Sequence, residues 1–126
     1  MHDVTVKRIE EIEPYAGPNT IPGIRFRPAR QALGISSWGM NIIELDPNCS
    51  GHPEHNHESD GHEEVYLVLR GSAVLQAGGE ERTVSQGDFV RVGPKVKRRF
   101  VTRDQGAVLL ALGGTPGQPY KPSWGG

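Results

Sequence analysis

Short apolar runs, each closed within a few residues by glycine or proline, constrain this chain more than any other feature. The 126 residues include 17 glycines and 10 prolines, without a collagen period or a low-complexity block. Between them lie runs at 24–27, 35–45, 64–69, 72–77, 80–84, 89–92, 97–102 and 107–112. Such runs suit strands, which bury a face in few residues, better than amphipathic helices, which need longer uninterrupted stretches. The turn chemistry agrees. Asp46-Pro47-Asn48 closes the 35–45 run, Gly78-Gly79 is a two-residue hairpin signal, and Asp104-Gln105-Gly106 joins the last two runs as a pair. Residues 4–6 suggest a further short strand, 9–14 a helical turn or an edge strand, and 30–33 a brief turn closed by Gly34. Roughly eight to ten short strands are expected, in an all-β sandwich, barrel or jelly roll.

Length and charge narrow the class further. The chain is long enough for one domain with a real core. No linker or internal repeat divides it. With 14 basic and 15 acidic residues the net charge is −1, so neither nucleic acid nor an anionic membrane is an expected partner. The one basic cluster, Lys95, Lys97, Arg98, Arg99 and Arg103, reads mostly as the solvated face of a strand. Cys49 is the single cysteine, which rules out an intrachain disulfide, and it reads as a small structural residue. The first residues lack an apolar signal-peptide core, and no run is long enough to span a membrane; a soluble cytoplasmic protein is expected.

Chemistry concentrates between Gly51 and Gly71, which holds four of the five histidines. His55 and His57 are two apart, as are His62 and Glu64, so in an extended chain each pair points to one face. Imidazole and carboxylate are good ligands for divalent transition metals. The run Glu64-Val65-Tyr66-Leu67-Val68-Leu69 that follows is of strand type and rigid enough to hold a site. Tyr66 shares the face of Glu64 and should line a cavity. Glu63 should point to solvent. His52 reads as a loop residue, His2 as part of a loose end, and Trp38, Met40 and Phe89 as core or cavity wall. Tyr120 and Trp124 are expected to dock the irregular tail on the body or on a second subunit.

These motifs resemble the cupin family over about residues 36–113. His55-Asn56-His57 matches the family's His-x-His, and six residues separate Glu64 from Gly71, as in its first motif. Residues 87–99, with Gly87, Gly93 and Pro94, resemble the second motif. The resemblance implies a double-stranded β-helix, or jelly-roll barrel, preceded by an extension at 1–35 and followed by a tail at 114–126. Two departures stand out. The spacing from His57 to Glu64 is longer than usual, which leaves His62 as a substitute or fourth ligand. The position of the second-motif histidine falls on Arg99, and arginine is not a normal metal ligand.

Two readings follow. In the first, iron, manganese, nickel or zinc sits on His55, His57 and Glu64, with His62 assisting, and acts on a small polar or anionic molecule. The resemblance then implies dioxygenase, isomerase or decarboxylase-like chemistry, with Tyr66 or Glu64 carrying a proton. In the second, the protein is a metal-free binding or sensing module. Arg99 either pairs with Glu64 or holds an anionic ligand, and the histidines are rim residues. A homodimer is expected in both, because it would cover open barrel edges.

Overall fold

The computed structural model describes residues 3–122. A single 3-10 turn at Ile9–Glu11 precedes strand β1 (Ile24–Pro28), which leads into the five-residue helix α1 (Ala29–Leu33). Gly34 ends that helix in the left-handed conformation, φ 75°. Six strands follow: β2 (Gly39–Leu45), β3 (Glu63–Ala77), β4 (Glu80–Ser85), β5 (Phe89–Val92), β6 (Arg98–Val101) and β7 (Ala107–Gly114). Every pairing is antiparallel. One sheet has the order β1-β2-β7-β3-β5, built on the first half of β3. The second half of β3 is flanked by β4 and β6 in the other sheet. The result is the expected all-β jelly roll, with β3 belonging to both sheets.

Alternation sets the core. Glu64, Tyr66 and Val68 face inward from the first half of β3, opposite Leu109 and Ala111 of β7 and Val90 and Val92 of β5. Past a register shift between Val68 and Arg70, the inward set becomes Ala73 and Leu75. One extra residue moves a strand's inward set to the other parity, and this irregularity lets β3 serve two sheets. The outer face of the first sheet has its own apolar layer, in which Ile12 and Ala29 cover Ile42, Met40 and Leu110.

Gly71 makes the bend possible. Its φ is 76°, and a Cβ there would lie 1.9 Å from the carbonyl oxygen of Gly106, which also accepts the Ser72 amide at 3.3 Å. Positive φ and a backbone clash combine, so Gly71→Ala should cost more than about 2 kcal/mol. Urea unfolding would measure it, and Gly79→Ala is the contrast: it shares a positive φ but has open space around its Cβ position.

Residues 4–6 form no strand, and Val6 is exposed. Residues 64–77 form one bent strand instead of two. The last two runs do not pair with each other; β6 lies on the second half of β3, and β7 lies between β2 and the first half of β3. Trp38 and Phe89 are solvent-exposed, because both sit on the outer side of the first sheet beyond the reach of the layer that covers Met40. Glu63 points outward, 3.6 Å from Arg91. Trp124 and His2 lie outside the described residues. Among the described residues no helix is long and apolar enough to cross a membrane.

Candidate metal centre

The His-x-His segment is strapped to the barrel by its backbone. His55 and Arg98 exchange two hydrogen bonds, 3.1 and 2.9 Å, as an isolated antiparallel bridge, and the His57 amide donates to the Pro94 carbonyl at 2.8 Å. This lays residues 55–57 beside the turn that starts β6. Both imidazoles then meet the inward side chain at the start of β3. Glu64 Oε1 lies 3.2 Å from His57 Nε2 and 3.9 Å from His55 Nε2. The same oxygen accepts a 2.6 Å hydrogen bond from the Tyr66 hydroxyl and lies 3.6 Å from Arg98 Nη2. Gly113 of β7 leaves room for the Glu64 side chain, since a Cβ there would come within 3.2 Å of its Cγ.

The electrostatics follow from this convergence. Burial is the largest single influence on Glu64 and favours protonation. The neighbouring imidazoles of His55 and His57 and the Tyr66 hydroxyl together outweigh it and hold the carboxyl well below the usual range. His57 is pushed up, first by its contact with Glu64, then against burial by Asp60. Tyr66 is raised well above the ordinary phenol, mainly by burial and then by the Glu64 charge, so it stays a neutral donor.

A second group adjoins the first. Asp60 Oδ2 lies 3.0 Å from His57 Nδ1 and 3.4 Å from His62 Nδ1, while its Oδ1 accepts the His62 amide at 3.0 Å. His62 is buried and stacks on His57 with ring centroids 5.5 Å apart; Tyr120 stacks on its other side at 5.2 Å. His55, His57 and Glu64 bring their donor atoms within 4.8 Å of one another, and so do His57, Asp60 and His62. Thus His62 is not gathered with the first trio. Asp60 escaped the sequence reading because it sits in an apparent turn; its spacing from His57 and His62 was the available signal.

Arginine placement also differs from expectation. Arg98, not Arg99, faces Glu64, fully buried, and it was assigned to a solvated face. Its Nε has no hydrogen-bond partner among the described residues, and its Nη atoms reach the His55 and Gly93 carbonyls only at 3.4 and 3.5 Å. Arg99 projects from the other side of β6 and donates to the Ser50 carbonyl at 3.3 Å. The physical reason is strand parity: Arg98 shares the inward face with Phe100.

His52 is likewise structural. It is buried, and its Nδ1 accepts the Phe100 amide at 3.0 Å, so that nitrogen carries no proton. Burial, reinforced by the neighbouring His55, lowers its pKa from 6.5 to about 4. The unfolded chain therefore binds more protons throughout that window, and stability should fall by about 3 kcal/mol as the pH drops from 6.5 to 4. Chemical unfolding of metal-free protein across this range checks it. His52→Asn keeps an acceptor near the Nδ1 position without the titration, and the difference between the two curves isolates His52.

The site opens into a cavity of about 860 Å³, with Tyr15, Phe26, Asn41, Ser59 and Tyr120 on its walls. Two imidazoles and a carboxylate at its base suit a divalent transition metal, and they leave room for ligands from the cavity side.

Comparison with known proteins agrees with this picture. A family model described as a cupin domain matches residues 41–112, more than half of the chain. No curated protein matches. Among solved structures, a sugar phosphate isomerase of the cupin superfamily from Silicibacter pomeroyi superposes with a TM-score of 0.71 at 23% identity, covering 86% of this chain and 74% of that one. KdgF from Halomonas sp. gives 0.66 at 16% identity, covering 86% and 89%. A predicted oxalate decarboxylase from Thermotoga maritima gives 0.66 at 20% identity, covering 86% and 97%. At these identities the likeness carries the fold alone. Together with the matched domain, the barrel and its inward His-x-His and glutamate place the chain: it belongs to the cupin family.

Proposed function

We propose that this cupin holds a divalent transition metal, iron, manganese, nickel or zinc, on His55, His57 and Glu64, and acts on a small polar or anionic molecule in the cavity above. One observation carries the reading: two imidazole Nε2 atoms approach the same carboxylate oxygen, at 3.2 and 3.9 Å, at the base of a cavity. When bound, the metal would supply a Lewis acid that polarises a substrate oxygen, as isomerase, decarboxylase or dioxygenase chemistry requires. The chain's own residues do the rest. Tyr66 donates to Glu64 and holds the carboxylate in position. Arg98, buried 3.6 Å from the carboxylate, offsets its negative charge from behind the cavity wall. The names of two structural neighbours, a sugar phosphate isomerase and a predicted oxalate decarboxylase, agree with oxygen-rich substrates.

Elemental analysis of untagged protein tests the reading. A near-stoichiometric transition metal is expected, and its absence even after incubation with iron, manganese, nickel and zinc sinks it. Uptake should also depend on pH. Contact with Glu64 raises the His57 pKa above its ordinary 6.5, so a metal must displace a proton there. Affinity should still be climbing above pH 6.5 and level off only once His57 has lost its extra proton, as titration calorimetry would show. The second reading, a metal-free module in which Arg99 holds an anion, fits this geometry less well, since Arg99 donates to the Ser50 carbonyl and neither it nor Arg98 lines the cavity. A thermal shift with carboxylates or phosphates, without metal uptake, would favour it.

A further inference from the structure

The two groups of candidate ligands share His57, and its two ring nitrogens face different carboxylates. Nε2 lies 3.2 Å from Glu64 and Nδ1 lies 3.0 Å from Asp60. A neutral imidazole has one protonated and one bare nitrogen, so His57 can offer a metal only one of them. Which one depends on which carboxylate accepts the N–H hydrogen bond. His55, the other histidine of the first group, has its Nδ1 at the Pro53 carbonyl, 3.0 Å away; a carbonyl only accepts, so that Nδ1 carries a proton and Nε2 is bare. His57 Nε2 lies on the same side, toward Glu64.

Resting on the metal reading above, we propose that Asp60 is the positioning residue of the centre. It accepts a hydrogen bond from the His57 Nδ1–H, which keeps the ring proton on Nδ1 and leaves a bare Nε2 toward the metal position at Glu64. The loop is built for this. The Gly61 amide donates to the His57 carbonyl at 2.7 Å, and the Thr115 hydroxyl donates to the Asp60 carbonyl at 2.9 Å, which ties the loop to the end of β7. The longer spacing between His57 and Glu64 thus has a use: it brings a carboxylate behind the histidine ring. His62, stacked between His57 and Tyr120, fixes the ring plane and is not a ligand.

Asp60→Asn separates this role from a structural one. Asparagine keeps an oxygen for the His62 amide but can turn an NH2 group toward His57. That donor needs a bare Nδ1, which forces the proton onto Nε2 and blocks the metal. Zinc and manganese affinities of the full chain, measured by competition with a chelating dye, should fall 10–100-fold in Asp60→Asn. The melting temperature of the metal-free variant should stay close to that of the unaltered protein. In zinc-loaded protein, 15N NMR should show the proton of His57 on Nδ1.

Other results overturn the assignment. Affinity within threefold of the unaltered protein removes the role. Complete loss in Asp60→Asn, with binding kept in Glu64→Gln, makes Asp60 a direct ligand of the second group. Loss in His62→Phe, which keeps the stack but removes both nitrogens, does the same for His62. Failure of the unaltered protein to take up zinc, manganese, iron or nickel overturns the metal reading together with this inference, whereas uptake with an indifferent Asp60 overturns the inference alone.

Discussion

Glu64→Ala should destabilise the metal-free protein by about 3–5 kcal/mol, the range found when one member of a buried ion pair is removed. Glu64 and Arg98 lie 3.6 Å apart, and the Arg98 side chain has no exposure at all. Without the carboxylate, the buried guanidinium would lose its counter-charge while keeping two long bonds to carbonyls and an unpaired Nε. The Tyr66 hydroxyl, buried with the ring, would lose its acceptor as well. Urea unfolding measures the loss. Its cause can be separated by the double variant Glu64→Leu/Arg98→Met, which removes both charges and keeps bulk. That variant should recover most of the stability and still bind no metal. If Glu64→Ala loses less than about 1 kcal/mol, the pair is not the buried clamp described here.

His57→Ala should have the largest effect on metal binding, because His57 belongs to both groups of donor atoms. Affinity for zinc or manganese should fall by more than about 100-fold, beyond the effect of a residue that only orients a ligand. Chelator competition is the measurement. His55→Ala should also weaken binding but leave the second group intact, while His52→Asn should leave affinity within a fewfold. If His57→Ala binds as tightly as the unaltered chain, neither group is the metal site. Folding should survive the change, since Glu64 keeps Tyr66 and Arg98 as partners and Asp60 keeps the His62 amide.

Much of the site could be read before the fold was known, because period two is a local property of extended chain. His55 and His57, two apart, do share a side, and so do Glu64 and Tyr66, whose side chains bond directly. Turn residues marked the strand ends well: Gly34 closes α1 and Gly78-Gly79 joins β3 to β4. Other features depended on where a loop or strand lands. Asp60 reaches two imidazoles only because residues 57–61 fold into a turn, and nothing in the composition of Glu58-Ser59-Asp60-Gly61 distinguishes that from an ordinary loop. Trp38 and Phe89 look like core residues by type, yet whether the outer face of the first sheet is covered at those points is settled by how far residues 9–33 extend across it.

The amino-acid sequence by itself determined that the chain is all-β, where most of its turns fall, and that histidines and a glutamate lie just before and at the start of its longest strand. Short runs between breakers leave few alternatives, and side-chain alternation needs no tertiary context. Only the tertiary structure decided which arginine enters the barrel. In Arg98-Arg99-Phe100-Val101 each parity pairs one arginine with one apolar residue, and both Phe100 and Val101 are buried. Alternation therefore could not choose between Arg98 and Arg99. The register of β6 against β3, set by Val74 opposite Val101 and Ala77 opposite Arg98, turned Arg98 toward Glu64 and Arg99 away. Register is a property of two strands paired across the fold, and a single run of residues does not contain it.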